Sequence, residues 1–223
     1  MGGWEDSVAM KIAVYTSITA EKDGLKEPLR RSGADLVLFS DVPYQAPGWD
    51  VRPACDLFAD PRRNSRAHKL LPHLYLPGYD YSLWLDGSIR VLSDVEGLIS
   101  TYLRESDIAV FKHSERACVY SEAAACTKMK LDDPAIIAAQ IAKYQEDGYP
   151  TDNGLIESGV ILRRHSRLME FFNNAWWSEV CRYSRRDQLS MNYVLDALGI
   201  IPEFFPGTIY DNPGLVSYED HLK

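Results

Sequence analysis

YDYSLWLDGSIRVLSD, Tyr79 to Asp94, decides how this chain folds. Tyr81-Ser82-Leu83-Trp84-Leu85 is a short apolar run between polar ends, the pattern of a strand buried on both faces. It delivers Asp86, Gly87 and Ser88 at a polar tip, and Ile89-Arg90-Val91-Leu92 reads as its continuation. Ser93 and Glu96 then form a capping-box pair, and Val95, Leu98, Ile99, Tyr102 and Leu103 recur at helical spacing.

Upstream, Lys11 to Thr19 reads as an opening strand and Ala34 to Asp41 as a second, with room for one short helix between them, a β-α-β start. Pro43, Pro47, Gly48, Pro53 and Pro61 predict an irregular stretch, and Arg62 onward a helix that stops before Pro72. Downstream, strands are predicted over Asp107 to His113 and Leu155 to Arg164. Helices are predicted after Ser121, from Asp133-Pro134 to Gly148, over Leu168 to Val180, and after a Ser184/Asp187 capping pair to Gly199. Phe172, Trp176 and Trp177 are candidates either for packing or for partner contact. The tail holds one or two short strands. The sum is a mixed α/β domain over residues 10–223 with a mostly parallel sheet, residues 1–9 being a leader or tail. The ligand site of such a sheet lies beyond the strand C-termini.

The composition is that of an ordinary folded chain: 223 residues, 46% hydrophobic, 25% charged, net charge −8. The acidic balance argues against nucleic acid held by overall charge. No apolar run reaches the roughly 18 residues of a membrane span. No secretory signal is visible at the start, so a cytoplasmic location is expected. The four cysteines include no C-x-x-C pair and suit free thiols in a reducing compartment. G-x-G-x-x-G, P-loop, G-x-S-x-G and H-E-x-x-H are all missing, which disfavours dinucleotide enzymes, P-loop NTPases, common α/β-hydrolases and zinc hydrolases.

Polar tips at Thr16 to Thr19, at Ser40-Asp41 and at Asp86-Gly87-Ser88 are expected to converge. Asp86 is placed either to hold Mg²⁺ or Mn²⁺ against a diphosphate or to cap its own turn. Three basic islands stand out in an acidic chain: Arg62, Arg63, Arg66 and Lys69; Arg163, Arg164 and Arg167; Arg182, Arg185 and Arg186. Guanidinium forks match phosphate oxygens, although each island is equally a solvated face. Asp187 and Gln188 open a helix with Asn192 one turn on, a set suited to hydroxyls. Glu157 and Ser158 interrupt an apolar strand, and a buried carboxylate needs a partner. His113 follows a strand and is a further site candidate.

Taken in order, RNSRAHKLLPH (63–73), YDYSLWLDGSIRV (79–91), FKHSERACVYSEA (111–123), ESGVILRRH (157–165) and YSRRDQLSMNYVL (183–195) resemble the TOD1/MUCI70 glycosyltransferase-like family. The likeness runs from about Ile12 to Gly207. It implies a single GT-A-like domain and transfer of a sugar from a nucleoside-diphosphate sugar, UDP by default, to a hydroxyl of a glycan or other acceptor. A more distant likeness to glycogenin-like enzymes assigns the metal to Asp86, Ser88, where those enzymes carry a second aspartate, and His221. It also matches Glu157-Ser158-Gly159-Val160 and Asp187-Gln188 to conserved-motif positions of that group. On this reading Thr16, Ser17 and Asp41 hold the nucleoside. Arg66, Lys69, Ser88, His113 and Gln188 complete the donor site. Asp86, Glu157 and Asp187 are the catalytic candidates, with Glu157 or Asp187 the general base. Mn²⁺ or Mg²⁺ is the implied cofactor; alternatively the arginines replace the ion's charge. A metal-assisted hydrolase of a lipid amide, using Asp86, His113 and Ser88 or Ser114, and a non-catalytic sugar-nucleotide module with a partner domain or subunit, are the alternatives.

Overall fold

In the computed structural model β1 (Ile12–Ile18) runs through the centre of a seven-stranded sheet, every one of its residues buried. The structure describes residues 10–20, 23–28 and 33–219. The sheet order is β3-β2-β1-β4-β7-β6-β8, built from β2 (Asp35–Ser40), β3 (Asp50–Pro53), β4 (Tyr81–Leu85), β6 (Ile108–Lys112), β7 (Ile156–Arg164) and β8 (Glu203–Phe204). β7 is antiparallel to both neighbours, and all the other pairings are parallel. The predicted mixed, mostly parallel sheet is therefore the observed one. β5 (Ile89–Val91) leaves it, pairing with β9 (Val216–Tyr218) in a separate two-stranded sheet.

Alternation along each strand splits the core in two. Ala13, Tyr15, Trp84, Val110 and Ile161 face one way, beneath α1 (Pro61–Leu70), α6 (Arg167–Arg182) and α7 (Gln188–Ala197). Ile12, Val14, Leu83, Leu85, Phe111 and Leu162 face the other, beneath α3 (Val95–Tyr102) and the small sheet. The four-residue α2 (Pro72–Tyr75) follows α1, and α4 (Val119–Lys128) and α5 (Pro134–Glu146) pack on α7 through Val119, Ile137, Tyr144 and Leu189.

Several local expectations change. The Asp86-Gly87-Ser88 tip is a turn, with Ile89 N donating to Asp86 O at 2.8 Å, so β5 does not continue β4. Asp94, not Ser93, caps α3, accepting from Gly97 N; Glu96 instead accepts from Gly33 N. Ser184 and Asp187 make no capping box: Ser184 Oγ accepts from Arg186 N and donates to Asp132, and Asp187 has side-chain partners elsewhere. Residues 23–28 form no helix, and the proline-rich stretch contains β3. Trp176 and Phe172 are fully buried, so they serve packing and not partner contact, while Leu168 and Phe171 of the same helix are exposed. The four cysteines are free, and among the described residues no helix is long and apolar enough to cross a membrane.

A cationic cleft at the strand ends

Six parallel strands send their C-termini to one edge; the reversal of β7 sends its N-terminus there as well. Residues 157 and 158 thus arrive beside Asp86, and Arg163, Arg164 and Arg167 go to the opposite edge. A bulge sharpens this. β6 pairs Val110 with Ile161 but the next residue, Phe111, with Glu157, so Ser158-Gly159-Val160 loops out of that pairing and Asp86 N reaches Gly159 O at 2.8 Å. The second basic island is consequently structural. Arg163 is fully buried, donating to Asn173 Oδ1, Tyr15 OH and Lys69 O, and Arg164 pairs with Asp107.

The first and third islands do converge. Arg62, Arg66, Arg185 and Arg186 line an open cleft of about 170 Å³ together with Ser17, Thr19, Asp23, Trp84, Asp86 and Gly87. Its floor is a buried ionic cluster. Lys69 Nζ lies 2.7 Å from Asp187 Oδ2, 3.3 Å from Asp86 Oδ1 and 3.2 Å from Ser158 Oγ, and Arg66 Nε lies 2.6 Å from Asp187 Oδ1. Ser158 Oγ donates to Asp187 Oδ2 at 2.9 Å, and Trp176 Nε1 to the Asp187 carbonyl. Burial alone would raise the Asp187 pKa; Arg66 and Lys69 override it and hold the carboxyl well below the usual range. Asp86 is not turned into its own turn. Its Oδ1 accepts from Trp84 Nε1 at 2.7 Å, and about a third of the side chain remains exposed to the cleft.

Glu157 stands beside this floor, 18% exposed, with burial and then the Asp86 charge lifting its pKa to about 7 against Lys69 and Arg186. His113 Nε2 lies 3.9 Å from Glu157 Oε2 and 3.8 Å from Glu122 Oε2. Its Nδ1 accepts from Glu115 N and Arg116 N, and its Nε2 also meets the Arg116 guanidinium at 3.2 Å. Arg116 Nε in turn clamps Glu122 at 2.5 Å.

A second recess of about 460 Å³ adjoins the cleft at Thr19 and is lined by Asp41, Asp56, Phe58, Cys55 and Asn64 among others. Asp41 lies at this recess and also accepts from Ala20 N. Ser17 faces the cleft while its Oγ meets His68 Nδ1 at 3.4 Å. Thr16 lies in a narrow crevice beside Gly87. Ser88 and Gln188 are buried and line neither space, and Asn192 ties Ile156 N. His221 lies outside the described residues; Glu219 N reaches Ser88 O at 2.8 Å. Asp23 was missed from the sequence because a lone polar residue in a loop carries no pattern. Gly87 is the signal for it: a Cβ there would lie 2.7 Å from Asp23 Cβ.

The residues at the strand tip do not make a cage for a divalent ion. Ser88 is buried away from the cleft, the inner oxygen of Asp86 is already bonded to an indole and an ammonium, and no group of three His, Cys, Asp or Glu gathers among the described residues.

The strand order, the reversed β7 and a charged cleft at the C-terminal edge define a GT-A-like fold. The apo form of glycosyltransferase GlyE from Streptococcus pneumoniae shares it, with a TM-score of 0.50 at 14% identity over 88% of this chain and 45% of that one. Residues 51–209 match the family model described as TOD1/MUCI70, glycosyltransferase-like domain, and the chain belongs to that family. Two Arabidopsis thaliana proteins are similar to it. A probable hexosyltransferase, MUCI70, is 32% identical over 151 residues, 63% of this chain and 26% of that protein. The alkaline ceramidase TOD1 is 28% identical over 183 residues, 75% and 39% respectively. The chain thus matches well under half the length of either relative.

Proposed function

We propose that the cleft and its neighbouring recess bind a nucleoside-diphosphate sugar, and that the chain transfers the glycosyl group to an acceptor hydroxyl. The observation that carries this reading is the convergence of Arg62, Arg66, Arg185 and Arg186 on Asp86 in an otherwise acidic chain. Guanidinium forks suit the oxygens of a diphosphate. The recess, with Asp41 and Asp56, repels phosphate and suits ribose hydroxyls and a base, so the nucleoside lies there and the diphosphate over Asp86. UDP is the nucleotide the family resemblance suggests.

In this arrangement Asp86 faces the donor sugar and Glu157 is the general base, because a carboxyl with a pKa near 7 exchanges protons at neutral pH. Asp187, carrying two cations and held far below neutrality, fixes Arg66 and Lys69 instead of moving a proton. His113 orients the acceptor side of Glu157.

One relative is named a ceramidase, so hydrolysis is the competing chemistry. A serine-dependent version needs a hydroxyl activated by a base, and the Ser17–His68 contact is oriented the other way: His68 Nε2 accepts from Cys55 N, so Nδ1 carries the proton and donates to Ser17.

Incubation with UDP-, GDP-, CDP- and ADP-sugars is expected to release one nucleoside diphosphate, and Asp86→Ala to stop that release. Binding of nucleotide with no turnover in the presence of competent acceptors would instead mark a non-catalytic module. Gly87→Ala pushes Asp23 into the cleft mouth, and UDP affinity is expected to fall about tenfold with little change in melting temperature. Unchanged affinity would remove the diphosphate from above Gly87.

A further inference from the structure

We infer that this chain neutralises a diphosphate with guanidinium groups and needs no divalent cation to bind it or to let it leave. The inference rests on the proposed ligand class but concerns a separate property of the cleft, its source of positive charge.

Three observations lead to it. The strand tip lacks a second carboxylate, and its Ser88 is buried outside the cleft. Asp86 already has a counter-ion, since Lys69 Nζ is shared between it and Asp187, with the Lys69 side chain only 1% exposed. The cation that other proteins recruit from solution is thus supplied here as a side chain beneath the strand end. Third, the cleft has more positive charge than its floor consumes. Arg66 is bound to Asp187 through Nε and Arg185 to Asp60 and Asp132, whereas Arg62 and Arg186 make no ion pair among the described residues. Arg186 Nε is moreover buried without a hydrogen-bond partner. A divalent ion added here meets Asp86 and Asp23 but also the charges of Arg62, Arg66, Arg185, Arg186 and Lys69, which oppose it. A diphosphate meets donors.

The transfer step makes the same demand. The bond between the anomeric carbon and the diphosphate oxygen breaks with its electron pair staying on that oxygen, so the leaving group gains one negative charge. The acceptor oxygen forms the new bond to the anomeric carbon, and its proton passes to the Glu157 carboxylate. Preorganised guanidinium donors stabilise the growing charge without rearrangement.

The test is calorimetric titration of the full chain with UDP and with inorganic pyrophosphate, each in EDTA and in Mn²⁺ or Mg²⁺. Affinities are expected to agree within about twofold between EDTA and metal, to fall steeply with salt, and to weaken about tenfold in Arg186→Met and in Arg62→Met. Circular dichroism of the two variants verifies folding, and one folded variant is enough. Pyrophosphate bound in EDTA without UDP binding would uphold the guanidinium site while refuting the nucleotide reading. Binding lost in EDTA and restored by Mn²⁺, or no binding of either probe under any condition, would overturn the inference.

Discussion

Asp187→Ala is expected to destabilise the folded chain by about 3–5 kcal/mol, the loss typical when one partner of a buried ion cluster is deleted. Arg66 Nε and Lys69 Nζ each lie within 2.7 Å of that carboxylate, and Lys69 is fully buried. Without it two cations share only a partly exposed Asp86. Against a total stability of about 5–15 kcal/mol this is a large fraction. Urea unfolding measures it. Adding Lys69→Met should recover more than about 1 kcal/mol, because the stranded charge is what destabilises. Simple additivity of the two changes would show that the cluster is not coupled. The pH dependence has a definite sign. A carboxyl held below its unfolded value stabilises at all pH above that value and loses the contribution only as pH falls through the folded one. The advantage of the wild type over Asp187→Asn therefore persists at neutral pH and fades in strong acid.

Glu157→Gln is expected to act in the opposite sense on stability while removing activity. The Glu157 pKa is raised from 4.5 to about 7, so the folded state is unpenalised below pH 4.5 and loses stability as pH rises toward 7. Glutamine carries no such penalty. The variant should gain up to ~3 kcal/mol over the wild type between acidic and mildly alkaline solution. Transfer should slow by about 10²–10⁴, the usual contribution of a general base. The wild-type kcat/KM should climb through pH 7 as the carboxylate forms, and the variant's profile should lose that limb. A variant that keeps both the rate and the limb would remove Glu157 from the chemistry and leave only a buried carboxyl.

The strands of the central sheet were readable because each is a local pattern. Tyr81 to Leu85 has no polar residue except Ser82, and only burial on both faces explains that. Gly148 and Gly199, both with positive φ, ended their helices where expected. Caps were less legible: Ser93 and Asp94 are both good caps, and the path of the chain selected Asp94. The candidate site was legible residue by residue, since Asp86, Glu157, Arg66, Lys69 and Asp187 all stand out as polar groups in apolar or helical contexts. Their roles were not. Asp187 and Glu157 are equivalent carboxylates in a linear reading, and opposite environments pull one pKa down and lift the other to about 7.

By itself the amino-acid order determined the class of fold, the family and the residue types from which a diphosphate site can be built, because periodicity, turns and strand tips depend on near neighbours in the chain. Only the tertiary structure decided which basic islands meet. Arg163 and Arg186 look alike in sequence, yet the single reversed strand carries one to a buried position and leaves the other facing the cleft. Electrostatic interaction depends on distance through space, and distances between residues far apart in sequence are set only when the sheet closes.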